Sequence, residues 1–152
     1  MKLTESAKGV YLITVTPFTD TGALDLESTD RVTDFYLQCG ANGLTVLGVM
    51  GEAPKLTAEE SRQYVKRVLD RVAGRVPVIV GASAAGFAPM KELAMSAMEI
   101  GAAGVMVQPG GSVKTDDQAF NFMKWSPKRL GPTCRFACKI IPSLPACNCR
   151  PR

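Results

Sequence analysis

The segment Gly48-Val49-Met50-Gly51-Glu52 has the make-up of an anion-binding turn. Glycines at both ends open backbone shapes closed to other residues, and the amides between them can converge on a phosphate or a carboxylate. The same glycines would serve a plain strand-to-helix turn, and on the residues alone both readings stand. No Gly-Lys-Ser/Thr follows and the spacing is not Gly-x-Gly-x-x-Gly, which excludes a Walker loop and a dinucleotide turn. Five lysines (Lys55, Lys66, Lys91, Lys114 and Lys124) could offer an amine nucleophile. Each falls on a predicted turn or helix, so they read as solvated surface charges. Cys134-x3-Cys138 and Cys147-x-Cys149 come nearest to a zinc spacing. Only the first interval is ordinary for zinc, prolines lie between the pairs and the chain has no histidine, so no metal site is expected.

The elements that must position these residues follow from periodicity. Val10–Val15 is a β-branched and aromatic run closed by Thr16-Pro17, a strand. Asp25 can cap a helix whose apolar positions Val32, Phe35, Tyr36 and Cys39 recur at helical spacing up to Gly40. Leu44–Leu47 is a short buried strand. Thr57 and Glu60 make a capping box that opens a helix with Tyr64, Val65, Val68, Leu69 and Val72 on one face. Val76–Val80 is a third strand and Val105–Gln108 a fourth. Between them lies a helix with Leu93, Ala94, Ala97 and Met98 on its face, and a fourth helix begins near Thr115 with Asp116 and Asp117 at its positive end.

Gly40-Ala41-Asn42-Gly43-Leu44-Thr45-Val46 is nearly repeated 61 residues later as Gly101-Ala102-Ala103-Gly104-Val105-Met106-Val107, an offset of two strand–helix units. Continuous apolar strands alternating with amphipathic helices predict a parallel sheet covered by helices. Right-handed crossovers put the turns TPFT, GVMGE, GASAAG and QPGGS on one rim, where ligands bind in such folds.

The chain changes character near Trp125. Residues 125–152 carry six basic side chains and no acidic one, four of the five cysteines and five of the ten prolines. Residues 1–124 are left with a net charge of −2, which gives no reason to expect nucleic acid. No apolar run approaches the ~18 residues of a membrane span, and the start MKLTESAKGVYLIT lacks an apolar signal core, so the expected location is the cytoplasm.

The wider stretch LGVMGEAPKLTAEE resembles the G-T-T-G-E-x-x-x-L-T-x-E-E signature of the dihydrodipicolinate synthase and N-acetylneuraminate lyase family. GVYLITVTPFTDTGALDLES is similar to that family's first strand and Thr-Pro-Phe segment, RVPVIVGASA to its third strand and AAGVMVQP to its fourth. The resemblance runs in order from about Gly9 to Lys124. It implies a (β/α)8 barrel of which the first four βα units are present, a half-barrel. It also implies class I aldolase chemistry: a lysine ending strand six forms a Schiff base with a 2-oxo acid such as pyruvate, and no further cofactor is needed. By the same resemblance Gly48, Val49, Met50, Gly51 and Glu52 grip the substrate carboxylate.

Two departures bear on that chemistry. Val49 and Met50 stand where the family has two threonines, so the amides remain and both hydroxyls are lost. Pro109 is followed by Gly110 and Gly111 where the synthase has a tyrosine pair that relays protons. The implied Schiff-base lysine lies two strands beyond the last legible one. The expected organisation is therefore residues 1–124 as the N-terminal half of a barrel, catalytically incompetent alone. Residues 125–152 are read as an irregular tail that fits neither a continuation of the fourth helix nor a fifth strand. Shifted by two nucleotides with GC-rich synonymous codons, that tail would encode an amphipathic helix and an apolar strand, so it is read as out-of-frame. A half-barrel leaves two sheet edges unpaired and inner side chains wet, which predicts a homo-oligomer or aggregation.

Overall fold

The computed structural model describes residues 3–4, 6–111, 113–131, 134 and 136–138, the last three by their backbone. The elements run β1 (Tyr11–Ile13), α1 (Leu26–Gln38), β2 (Gly43–Val46), a 3-10 turn (Ala53–Lys55), α2 (Ala58–Val72), β3 (Val78–Gly81), α3 (Phe87–Glu99), β4 (Gly104–Val107), α4 (Asp116–Leu130) and β5 (Phe136–Cys138). The sheet is wholly parallel in the order β1-β2-β3-β4-β5. The four expected βα units are therefore all present.

Local signals account for the helix starts. Asp25 accepts from the Ser28 amide at 2.8 Å, Thr57 and Glu60 close their capping box, and Thr115 and Gln118 close a second one on α4. Helix α2 turns Tyr64, Val65, Val68 and Val72 onto Leu44, Val46, Val78 and Val80, all fully or nearly fully buried. Each such side chain contributes about 1.5–3 kcal/mol of burial. The alternate strand residues face the other way, and two of them, Thr45 and Ile79, are only 4% and 7% exposed. The expectation that inner side chains are wet is thus corrected for these two residues, which lie on central strands with a paired neighbour on each side.

Helix α1 departs from its expected face. Phe35 is 58% exposed and Cys39 is exposed, whereas Thr29 and Thr33 are buried. Their hydroxyls donate to the Asp25 and Thr29 carbonyls at 2.7 Å, so each threonine enters the core with its polar atom satisfied.

The expectation that residues 125–152 hold neither helix nor strand is corrected for residues 125–130 and 136–138. Helix α4 runs through the expected boundary at residue 124, and β5 adds a fifth strand paired in register with β4. Ala119, Phe122, Ser126 and Leu130 keep helical spacing across that boundary. Ser126 and Leu130 are buried, and Phe122 and Leu130 pack in the α3–α4 cluster. Pro127 reads as a helix breaker, yet the helix carries it in its last turn and ends three residues later, where the Gly131 amide donates to the Pro127 carbonyl. Cys147 and Cys149 lie outside the described residues.

Candidate functional site

The C-terminal ends of β1, β2 and β3 converge on the turn that carries Gly48–Glu52. Leu47 and Glu52, both non-glycine, take left-handed backbone angles at φ 54° and 52°. Such angles cost about 1–3 kcal/mol each and persist only where the surroundings impose them. Gly48 and Gly51 are not left-handed, so the conformational reason expected for them is replaced by a steric one. A Cβ on Gly51 would stand 3.2 Å from the Leu47 backbone, one on Gly48 3.0 Å from the Ile13 side chain, and one on Gly81 only 2.2 Å from the Leu47 carbonyl oxygen. Gly51 and Gly81 let the chain pack against the Leu47 backbone, and Gly48 leaves room for the Ile13 side chain.

Side chains then fix the turn. The Thr16 hydroxyl donates to the Gly51 carbonyl at 2.7 Å. The Tyr64 hydroxyl, reaching up from α2, donates to the Val15 carbonyl at 2.8 Å and meets the Thr14 hydroxyl at 3.0 Å. Burial holds the Tyr64 phenol above its usual range, so it stays neutral and keeps its proton for this bond. On the neighbouring turn, Ser83 accepts from the Gln108 amide at 3.0 Å and ties β3 to β4.

Donor accounting decides what the turn can hold. The Gly51 amide donates to the Gly48 carbonyl at 3.0 Å and the Glu52 amide to the Val49 carbonyl at 3.2 Å. The Val49 and Met50 amides donate to no acceptor among the described residues, and their side chains are 61% and 57% exposed. Two adjacent amides at a ligand rim suit the two oxygens of a carboxylate. The start of α2 is not a rival anion site, because Thr57 and Glu60 occupy it. Glu52 forms an ion pair with Lys55, which holds that lysine to the turn rather than leaving a free amine.

The structure thus brings Gly48, Val49, Met50, Gly51 and Glu52 into one turn. It places Lys66 in a pair with Asp70 on α2 at 2.6 Å, and Lys91, Lys114 and Lys124 exposed on or beside α3 and α4. No described strand residue is a lysine; Lys139 follows β5 in sequence and lies outside the described residues. Among the described residues no cluster of histidine, cysteine or carboxylate could hold a metal. Cys134 is half-buried, and desolvation pushes its thiol up from the ordinary range. Thr16 and Tyr64 were missed as site residues. Thr16 ends a rim strand, which is the one signal that could have flagged it, while Tyr64 read as one more apolar position.

Five parallel strands, four outer helices and a glycine-lined turn at the strand ends define half of an α/β barrel. Residues 6–109 match the dihydrodipicolinate synthetase family, and the chain belongs to it. It is 31% identical over 94% of its length to the 4-hydroxy-tetrahydrodipicolinate synthase of Coxiella burnetii, an alignment that necessarily runs into residues 125–152. It overlays the crystal structure of dihydrodipicolinate synthase from Rhodopseudomonas palustris with a TM-score of 0.90 and 42% identity, covering 97% of this chain and 48% of that one. It also overlays YagE, a prophage protein of the dihydrodipicolinic acid synthase family from E. coli K12 in complex with pyruvate (TM-score 0.80, 27% identity, 93% of this chain and 48% of that one). The chain spans about half the length of these relatives.

Proposed function

We propose that these 152 residues form the carboxylate-binding half of a lyase-type barrel whose whole form makes or breaks a carbon–carbon bond to a 2-oxo acid. In that reaction a lysine amine adds to the oxo carbon and expels water. The protonated imine then accepts the electron pair released when a neighbouring proton or carbon leaves. The observation that carries the reading is the pair of unspent amides at Val49 and Met50, held in a strained turn by Thr16. The pyruvate complex of YagE supports a 2-oxo acid as the ligand class. The imine-forming lysine is assigned to an element two strands beyond β4, so the chain alone binds such an acid weakly and does not activate it. The loss of both threonine hydroxyls and of the tyrosine pair makes the whole protein a divergent lyase rather than a lysine-pathway synthase. The absence of a helix long and apolar enough to span a membrane among the described residues, and the charge balance of residues 1–124, agree with a cytoplasmic protein that binds no nucleic acid.

Pyruvate binding and borohydride trapping test this together. Purified chain with pyruvate and borohydride is expected to give no mass adduct. Val49→Thr/Met50→Thr is expected to tighten pyruvate binding by about three- to tenfold per restored hydrogen bond. An adduct on any lysine, Lys139 included, overturns the inactive assignment. An unchanged affinity in the double variant removes the turn from the carboxylate site.

A further inference from the structure

The two unspent amides belong to residues whose side chains start only two bonds from those nitrogens, so a group gripped by the amides lies beside the side chains as well. Neither the Val49 nor the Met50 side chain can donate a hydrogen bond. Both are more than half exposed, whereas Leu47, at the start of the same turn, is 3% exposed. The left-handed Leu47 and Glu52 bracket the pair, so the strained backbone holds it in place before a ligand arrives. The polar groups around the pair are already committed. Thr16 spends its proton on the Gly51 carbonyl, Tyr64 on the Val15 carbonyl, and Glu52 is paired with Lys55. The next turn, residues 81–86, has Ser83 as its one polar side chain, and that hydroxyl already takes the Gln108 amide at 3.0 Å.

Resting on the carboxylate reading of this turn, we infer that its ligand is a 2-oxo acid with an apolar tail, an alkyl group longer than the methyl of pyruvate. Val49 and Met50 set that preference. With the carboxylate on the two amides, the alkyl group lies against both side chains, and apolar surface leaves water on either partner. A hydroxyl in the same place would give up its water for a surface that offers no donor in return. The two side chains divide the work. Val49 is β-branched and stiff and forms a fixed wall, while the unbranched thioether of Met50 adapts to the length and branching of the tail. The acid head is served by backbone, which a substitution leaves in place, and the tail is read by side chains alone. Head and tail recognition are therefore separable by mutation.

The test titrates the full 152-residue chain with pyruvate, 3-methyl-2-oxobutanoate, 2-oxopentanoate and 4-hydroxy-2-oxobutanoate, the last two matched in length, and follows binding by ligand-observed NMR. 3-Methyl-2-oxobutanoate is expected to bind about three- to tenfold more tightly than pyruvate, since a methylene fully removed from water is worth about fourfold. 2-Oxopentanoate is expected to exceed its hydroxylated counterpart by about fivefold or more. Val49→Ala/Met50→Ala keeps both amides and is expected to bring the longer acids down to pyruvate while leaving pyruvate itself unchanged. Val49→Thr/Met50→Thr is expected to narrow the gap from the other side, by tightening pyruvate and the hydroxylated acid. Both pairs of changes fall at exposed positions, and a thermal melt like the parent's shows that the fold is kept. Affinity that does not rise with alkyl length, or that favours the hydroxylated acid, overturns the apolar-tail assignment and leaves the carboxylate site standing. A preference for the longer acids that survives in the alanine variant overturns the role of Val49 and Met50. No binding by any of the four acids removes the carboxylate site itself, and the apolar-tail assignment falls with it.

Discussion

The two flanks of the sheet are built differently. Among the described residues, one cluster gathers twelve buried residues around α2, β2 and β3, joined by Ala97 of α3 and Ala102 and flanked by Tyr36 and Leu37 of α1; the other gathers six around α3, β4 and α4, with the side chains of β5 outside the description. Helices α1 and α2 are also cross-linked, Arg67 to Asp30 at 2.6–2.8 Å and Arg71 bidentate to Asp34. Helices α3 and α4 meet through Phe87 stacked on Phe122 at 5.8 Å and Arg129 over the Phe87 ring at 5.2 Å. The strained turn proposed to bind an acid group stands on the flank of the larger cluster. Among the described residues the larger cluster and the α1–α2 ion pairs lie beneath the strained turn, where packing can hold its geometry.

The sharpest way to break this contrast is to remove matched side chains from each cluster. Leu44→Ala is expected to destabilise by about 4 kcal/mol, since Leu44 is fully buried between β1, β3 and α2. Leu130→Ala is expected to cost about 2 kcal/mol, because Leu130 is the last residue of α4 and the helix end can collapse around the gap. Chemical denaturation of both variants measures the difference, and equal losses would erase the distinction between the flanks.

Next in size is a pair of glycines. Gly81→Ala drives a Cβ against the Leu47 carbonyl and is expected to cost about 3 kcal/mol and to disturb the Gly48–Glu52 turn. Gly111→Ala on the β4 rim meets open space and is expected to be neutral or stabilising by about 0.5 kcal/mol. Thermal melts of the two variants separate a rim that is locked from one that is not.

Smaller again is the hydroxyl that props the turn. Tyr64→Phe leaves the Val15 carbonyl without its donor and is expected to cost about 1–2 kcal/mol. The same change is expected to weaken pyruvate binding to the Val49→Thr/Met50→Thr chain, because β1 and Thr16 are no longer fixed beneath the turn. Lost stability with unaltered binding would confine Tyr64 to the core.

The flank of the larger cluster was also the more legible in sequence, except where polar groups enter it. The capping box at Thr57 and the face of α2 could be read because both depend on near neighbours. The face of α1 could not, since Thr29 and Thr33 are admitted by bonds to their own helix that composition does not display. The left-handed Leu47 and Glu52 are imposed by Ile13, Gly81 and Thr16, which come from other strands and turns, so no local pattern announces them. On the other flank, Ser126-Pro127 and the cysteine-rich composition concealed a helical period that continues to Leu130. Turn identity was therefore visible in the residues, while its strain and its two unspent amides were set by the tertiary fold.

Acid titration gives the smallest effect and the finest test. The carboxylates held below their ordinary range, Asp25, Asp34, Glu59 and Glu60, all belong to α1, α2 or their caps. For Asp34 the chief cause is the hydrogen bond from Arg71, with the Arg71 and Arg75 charges adding to it against some desolvation. Asp25 is lowered chiefly by the Ser28 hydroxyl and Glu60 by the Thr57 amide. A carboxylate lowered on folding adds stability that is fully present above its unfolded value and is lost as the pH falls through the folded one. The melting temperature is thus expected to be level from pH 7 to about pH 5 and to fall below about pH 4. Asp34→Asn is expected to melt slightly lower at neutral pH, the small size following from solvent screening of an exposed pair, and to converge with the parent near about pH 2–3. A gap that persists unchanged into acid would mean that Asp34 acts through packing rather than charge, and the cross-link between α1 and α2 would lose its part in holding the flank of the larger cluster.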